Sequence, residues 1–205
     1  MKPPTVLKIG AVLCVAFLSV EAVRTHRAAP RPQASELASR AAAQAPLQTA
    51  TSAPVFAFNG FQVRPLAEFS LQARILSRED YRLGLEAEVS PMDLALGWQR
   101  MADPAIYKPL NITQGGRWYR YSWKDTPPIP PQEIIESSAN MHLIPATPAV
   151  AKVLQRARPD GFIRLSGKLV EVTQDQRWRW TSSLTRFDSG GGSCELVFVE
   201  TAEID

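Results

Sequence analysis

The residues that could do chemistry are few, and they cluster late in the chain. His142 is the only histidine beyond position 26 and closes the run Ser137-Ser138-Ala139-Asn140-Met141-His142. Hydroxyls and an amide so near in sequence could orient an imidazole for proton transfer or for activating a nucleophile. A hydrolytic reading makes His142 the base, Ser138 or Cys194 the nucleophile, and Asp80 or Glu79 the carboxylate that orients the ring. The competing reading makes His142 a structural residue that ties an irregular crossover to a sheet, because closeness in sequence does not supply catalytic geometry. Cys194 falls on one strand face with Leu196 and Phe198, which reads as a small buried side chain rather than a thiolate. The charge run Arg78-Glu79-Asp80-Tyr81-Arg82, with Glu86, Glu88 and Asp93 after it, reads as a solvated loop or a salt-bridge network.

A binding signal stands beside these. RWYRYSWK at 117–124 and QRWRW at 176–180 interleave rings with arginines. Successive residues of an extended chain face opposite ways. Such segments therefore set cationic faces beside ring-lined ones, as grooves for single-stranded nucleic acid and glycans do. Arg117, Trp118, Arg120, Arg177 and Arg179 are the expected contact residues. The plain alternative is a pair of amphipathic strands with rings in the core and arginines in water. The run Asp188-Ser189-Gly190-Gly191-Gly192-Ser193 lacks the lysine of a phosphate loop and leads into a strand, so it reads as a hairpin loop.

Composition removes several classes. The 205 residues, 45% apolar and 21% charged, suit one globular domain with extensions. The net charge of +3 divides unevenly: residues 1–54 hold 6 Lys/Arg and 2 Asp/Glu (+4), leaving 17 and 18 (−1) for residues 55–205. A domain without positive excess is a poor candidate for gripping phosphate backbones, so nucleic acid is not the expected partner. With only Cys14 and Cys194 in the chain, no disulfide forms inside the domain and no CxxC motif exists. His26 and His142 complete no Cys/His zinc set. A mixed site of His142, Cys194 and carboxylates stays open only formally. No nucleotide, haem or flavin signature is present, so no cofactor is expected.

The elements that must carry these residues divide the chain into three. Residues 1–23 contain the apolar run Ile9 to Val20 after Lys2 and Lys8, which reads as an export signal or as a single hydrophobic helix anchoring the chain. Residues 24–54 are rich in alanine and proline, with Leu37 and Leu47 as the only large apolar residues. That composition gives a flexible tether, and a tether favours the anchor. Residues 55–205 form the domain. Val55 to Ile75 reads as one or two strands. Ser90-Pro91-Met92-Asp93 reads as the start of a helix reaching Trp98, and Asp103-Pro104 as the start of another. Asn111 to Gly116 reads as a turn, and Arg117 to Lys124 as a strand with Tyr119, Tyr121 and Trp123 on one face. Thr147-Pro148 caps a helix to about Arg158, and Pro159-Asp160-Gly161 turns the chain into a long strand, Phe162 to Thr173. Gly167 in that strand marks a bulge. Strands at Arg177–Arg186 and Cys194–Glu200 would complete a three-stranded antiparallel meander.

The expected class is α+β: a bent antiparallel sheet of about five strands with two or three short helices. The bent long strand followed by a meander resembles a small OB-like partial barrel. The domain also resembles an uncharacterised family of bacterial envelope proteins through Ser77-Arg78-Glu79-Asp80-Tyr81-Arg82-Leu83, Ser138-Ala139-Asn140-Met141-His142-Leu143-Ile144-Pro145 and Cys194-Glu195-Leu196-Val197. That resemblance implies a bacterial source and strengthens the address read from the N-terminus, an inner-membrane anchor with the domain in the periplasm or a cleaved soluble form; envelope protein partners are the expectation that goes with this address. It carries no activity and assigns no catalytic role. The function expected is a noncatalytic, membrane-tethered periplasmic binding or scaffold domain, with a His142 hydrolase and an OB-type nucleic-acid module as alternatives.

Overall fold

The computed structural model describes residues 42–205 apart from Gln176 and Ser189. The signal or anchor at 1–23, its hydrophobic helix and most of the tether lie outside the described residues. Within them, no helix is long and apolar enough to cross a membrane.

The domain is α+β, with four short helices around a strongly bent sheet of eight strands. Strand β1 (Leu47–Thr49) pairs with β3 although it precedes Val55, so the ordered chain reaches back into the segment read as tether. Strand β2 (Phe56–Phe58) turns through Asn59-Gly60 into the long β3 (Phe61–Asp80). Both turn residues have positive φ, the condition of a tight two-residue hairpin. Helix α1 (Leu85–Val89) leads to β4 (Met92–Gly97). The connection to β7 (Ser138–Pro145) then carries a 3-10 turn (Gln99–Ala102), α2 (Pro104–Tyr107), the hairpin β5 (Thr113–Gly115) to β6 (Trp118–Arg120), and α3 (Pro131–Glu136). Helix α4 (Pro148–Leu154), β8 (Phe162–Gln174), β9 (Trp178–Thr181) and β10 (Glu195–Ile204) complete the chain.

The sheet closes on itself. β3 is long enough to pair with β8 along Gln62–Arg74 and with β4 along Arg74–Asp80. β4 pairs with β7, β7 with β10 and β10 with β8. Five strands therefore form a ring in the order β3-β4-β7-β10-β8. Its interior is filled from all five strands, by residues such as Phe69, Leu94, Met141, Leu165 and Val197, while Val150 and Leu154 of α4 pack into the same cluster. A second apolar layer lies outside the ring, where Phe61, Val170, Leu196 and Phe198 are covered by Phe56, Phe58, Trp178 and Trp180. A third packs the β4–β7 connection, with Met101, Tyr107 and Ile134 buried and Tyr119, Tyr121 and Trp123 against them.

Several sequence expectations change here. The sheet is mixed rather than antiparallel, because β7 and β10 run parallel. It holds more than five strands. Residues 92–97 are a strand, not a helix: Ser90-Pro91 imitates a helix start, but all six residues of β4 are buried, leaving no polar face for a surface helix. The last three strands are no simple meander, since β8 lies between β9 and β10. Gly167 marks a close approach rather than a bulge in its own strand. The extra residues sit opposite β8, between Pro65 and Ala67 of β3 and between Val199 and Thr201 of β10. The helix starts at Asp103 and Thr147 are as expected, each side chain accepting a backbone N–H of the first turn.

Candidate functional site

The site begins with a charge where the sequence has almost none. Asp93 stands in the run Met92–Gly97, and its side chain is wholly buried. Alternation along β4 turns Leu94 and Leu96 into the ring and Asp93 out of it. The neighbouring strand does the same: Met141 and Leu143 point inward, and Asn140 and His142 point outward. Register then places Glu79, Asp93, His142 and Leu196 in one row across β3, β4, β7 and β10.

A buried carboxylate needs compensation, and it comes from the tip of the β5–β6 hairpin. Gly116 and Arg117 form that tip, with φ of 58° and 68°. Arg117 thus adopts a left-handed conformation that ordinary side chains avoid, at a cost of roughly 1–2 kcal/mol. The turn aims its side chain into the site. Nη1 donates to Asp93 Oδ1 at 2.7 Å and Nη2 to the Ser90 carbonyl at 2.9 Å. Its backbone N–H donates to the Tyr81 hydroxyl at 2.9 Å, while the guanidinium lies 3.7 Å from the centre of that ring. Burial raises the Tyr81 pKa above its ordinary value, so the hydroxyl remains a neutral acceptor. Asn140 Nδ2 reaches the Arg117 carbonyl at 3.2 Å and Asp93 Oδ2 at 3.4 Å. Its Oδ1 accepts from Gln114 Nε2 at 2.7 Å.

His142 lies between this carboxylate and Trp180. Its Nδ1 comes within 2.9 Å of Asp93 Oδ1, but the ring is not aligned for a hydrogen bond and the atom has no such partner. The imidazole and the Trp180 ring sit 4.6 Å apart, centre to centre. The β5–β6 and β8–β9 hairpins leave between them a cleft of about 410 Å³, walled by Arg117, Trp118, His142, Trp178, Arg179, Trp180 and Cys194.

The structure gathers some of the expected catalytic residues and separates others. Cys194 meets Asn140 Nδ2 at 3.8 Å and the Arg117 carbonyl at 3.9 Å. Burial pushes its thiol up to about 11, so it is protonated at neutral pH and a weak nucleophile. In a Cys14→Ser chain, alkylation of Cys194 by iodoacetamide is expected to rise about tenfold per pH unit from 8 to 10; a plateau near pH 8.5 would show an ordinary thiol. Ser138 lies four residues from His142 on the same strand, about 13 Å along it, and its hydroxyl donates to the Ile134 carbonyl at 2.7 Å. Asp80 belongs to the row Asp80-Met92-Leu143, which faces the other side of the sheet, and it pairs with Arg78 at 2.8 Å. The carboxylate beside His142 is therefore Asp93. A single charge inside an otherwise apolar run was the signal for it.

The expected binding residues also divide. Arg117 is an internal strut. Trp118 and Arg179 line the cleft and are open to solvent. Arg120 packs beside Trp118 at 5.8 Å and Arg177 lies in the β8–β9 turn, both exposed and outside the cleft wall. Among the described residues no group of three or more His, Cys, Asp or Glu side chains is placed to hold a metal ion. No protein-family model, curated protein or solved structure matches this chain.

Proposed function

We propose that the domain is a noncatalytic binding module of OB type that takes an extended segment of an envelope protein into the cleft between its two hairpins. The ring order β3-β4-β7-β10-β8 corresponds to first-second-third-fifth-fourth, with the third and fifth strands parallel. In OB barrels ligands lie across the second and third strands, between the first-second and fourth-fifth loops. Here that face is the outer side of β4 and β7, and the cleft opens on it. The observation that carries the reading is the division of labour around the cleft. Arg117, Asp93, Asn140 and Tyr81 use their polar groups on one another, whereas Trp118 and Arg179 sit exposed at the rim, Arg179 with only a long ion pair to Glu171 at 3.7 Å.

The hydrolase alternative has less support, because the thiol is held protonated and Ser138 is committed to a backbone carbonyl. The nucleic-acid alternative is opposed by the −1 charge of residues 55–205, where Asp/Glu number 18 against 17 Lys/Arg. The apolar run at 9–20 and the tether after it support a place on the periplasmic side of a bacterial inner membrane, with a cleaved soluble form as the alternative.

The test is a comparison of native chain with a Trp118→Ala/Arg179→Ala chain in pull-downs from gently solubilised membranes. A partner held by the native chain is expected to disappear with the double variant, while stability changes by no more than about 1 kcal/mol. Equal recovery of the partner by both would remove the cleft from the interface.

A further inference from the structure

The cleft has an open strand edge in its wall. Strand β9 ends the sheet and pairs only with β8. The Ser182 N–H donates to the Val170 carbonyl at 3.0 Å, which sets the alternation of this antiparallel ladder. Trp178 and Trp180 turn their backbone groups toward β8, and Arg179 and Thr181 turn theirs away from it. The next outward group, the Ser183 N–H, donates to the Cys194 carbonyl at 3.0 Å. Cys194 belongs to the cleft wall, so the outward side of β9 is the cleft side. Before Cys194 the chain bends off in a turn, with the Ser193 N–H on the Gly190 carbonyl at 3.2 Å. Among the described residues nothing pairs with the backbone N–H and C=O of Arg179 and Thr181.

The shape of the cleft agrees with that direction. All four residues of β9 line it and none of β8 does. Side chains alternate along a strand, so a hollow lying over one face would touch every second residue. A hollow that touches four in succession runs along the edge. Arg179 and Thr181 are both exposed, and an unpaired edge is a template for another strand.

We propose that the cleft takes its partner by strand addition: an extended segment lies along β9 and exchanges backbone hydrogen bonds with Arg179 and Thr181. This rests on the binding reading above and names the chemistry of the segment. Its side chains on the Arg179 side are acidic, because Arg179 is answered there only by the long ion pair to Glu171, and exposed Arg177 adds positive charge at the same end. Its alternate side chains are apolar, because they fall on the side of the half-buried Trp178 and Trp180. The partner is thus a segment in which acidic and apolar residues alternate.

The test titrates the full chain in neutral detergent with a capped peptide of about eight residues alternating glutamate and valine, followed by calorimetry. Saturable binding is expected, and a lysine-valine peptide should bind at least about tenfold more weakly. N-methylation of one alternate set of peptide amides is expected to weaken binding at least about tenfold, and of the other set no more than about threefold, since only one set faces β9. Thr181→Pro removes an outward N–H that the β8 ladder does not use, a place where an edge strand tolerates proline. It should bind the parent peptide at least about tenfold more weakly than Thr181→Val, which keeps the N–H. Equal binding of the two methylated sets, whether strong or weak, equal binding by the two variants, or no saturable binding up to about 1 mM would overturn strand addition. If Arg179→Ala still weakened the binding of equally bound methylated sets, a partner held by side chains alone would remain in the cleft; if it did not, the cleft would fall with the edge. Self-association of the peptide-free chain that Thr181→Pro abolishes would give the edge to a second copy and overturn the acidic partner.

Discussion

Gly167→Ala is expected to cost about 4 kcal/mol or more, lowering the melting temperature by roughly 8–16 °C. A Cβ at position 167 would stand 1.9 Å from the carbonyl oxygen of Phe198. Neither neighbour can step aside, because both belong to the β8–β10 ladder, where Gly167 pairs with Val199 beside the extra residue of β10. Separating those strands would open the ring, and with it the interior cluster that all five strands share. Gly191→Ala is the control. Nothing lies within 4 Å of its Cβ position, so its effect should stay within about 0.5 kcal/mol. Urea midpoints of the two variants check both statements; similar midpoints would mean that β8 and β10 are not so tightly opposed.

The second large effect belongs to the charge beneath the cleft. Asp93→Ala should destabilise the domain by about 3–5 kcal/mol, since it leaves the Arg117 guanidinium without its counter-ion in a largely buried position. Arg117→Ala should also be severe, because Asp93 would keep only Asn140 and the poorly aligned His142 beside it. The double variant should cost less than the sum of the two, with a coupling of about 1–3 kcal/mol. Simple additivity would show that the two groups are independent. The distinction bears on function: a strongly coupled pair makes Arg117 a support that holds the β5–β6 hairpin over the cleft, whereas an uncoupled Arg117 would be available to a ligand.

What the sequence discloses and what it hides follow from the range of the interactions. Elements set by local chemistry are readable: the caps at Asp103 and Thr147, the turn at Asp160-Gly161, the long strand after it, and the face shared by Tyr119, Tyr121 and Trp123. Local chemistry also misleads. Ser90-Pro91 offers a good helix start, yet burial on every side makes Met92–Gly97 a strand. β7 is hard to classify because the face carrying Ser138, Asn140 and His142 is polar and still buried, so hydrophobic periodicity reports the wrong side as solvent-facing. Closure of the ring depends on β3 meeting β8 about a hundred residues later, and no local pattern encodes it.

The candidate site shows the same division. His142 and the aromatic-arginine segments are conspicuous by composition, and the cleft does bring His142, Trp118, Arg179 and Cys194 together. Their roles follow from partners that only the fold supplies. Asp93 replaces Asp80 beside the imidazole, and Arg117 turns inward because of a left-handed hairpin tip.

Photo-crosslinking in living cells tests the binding claim most directly, with a benzoylphenylalanine at position 118 on the cleft rim and a control at Glu203, exposed on β10. The account predicts a discrete adduct from position 118 that weakens sharply when Arg179→Ala is added, with none from position 203. Crosslinking at 203 alone, or an adduct from 118 that ignores Arg179, would contradict a partner held in the cleft.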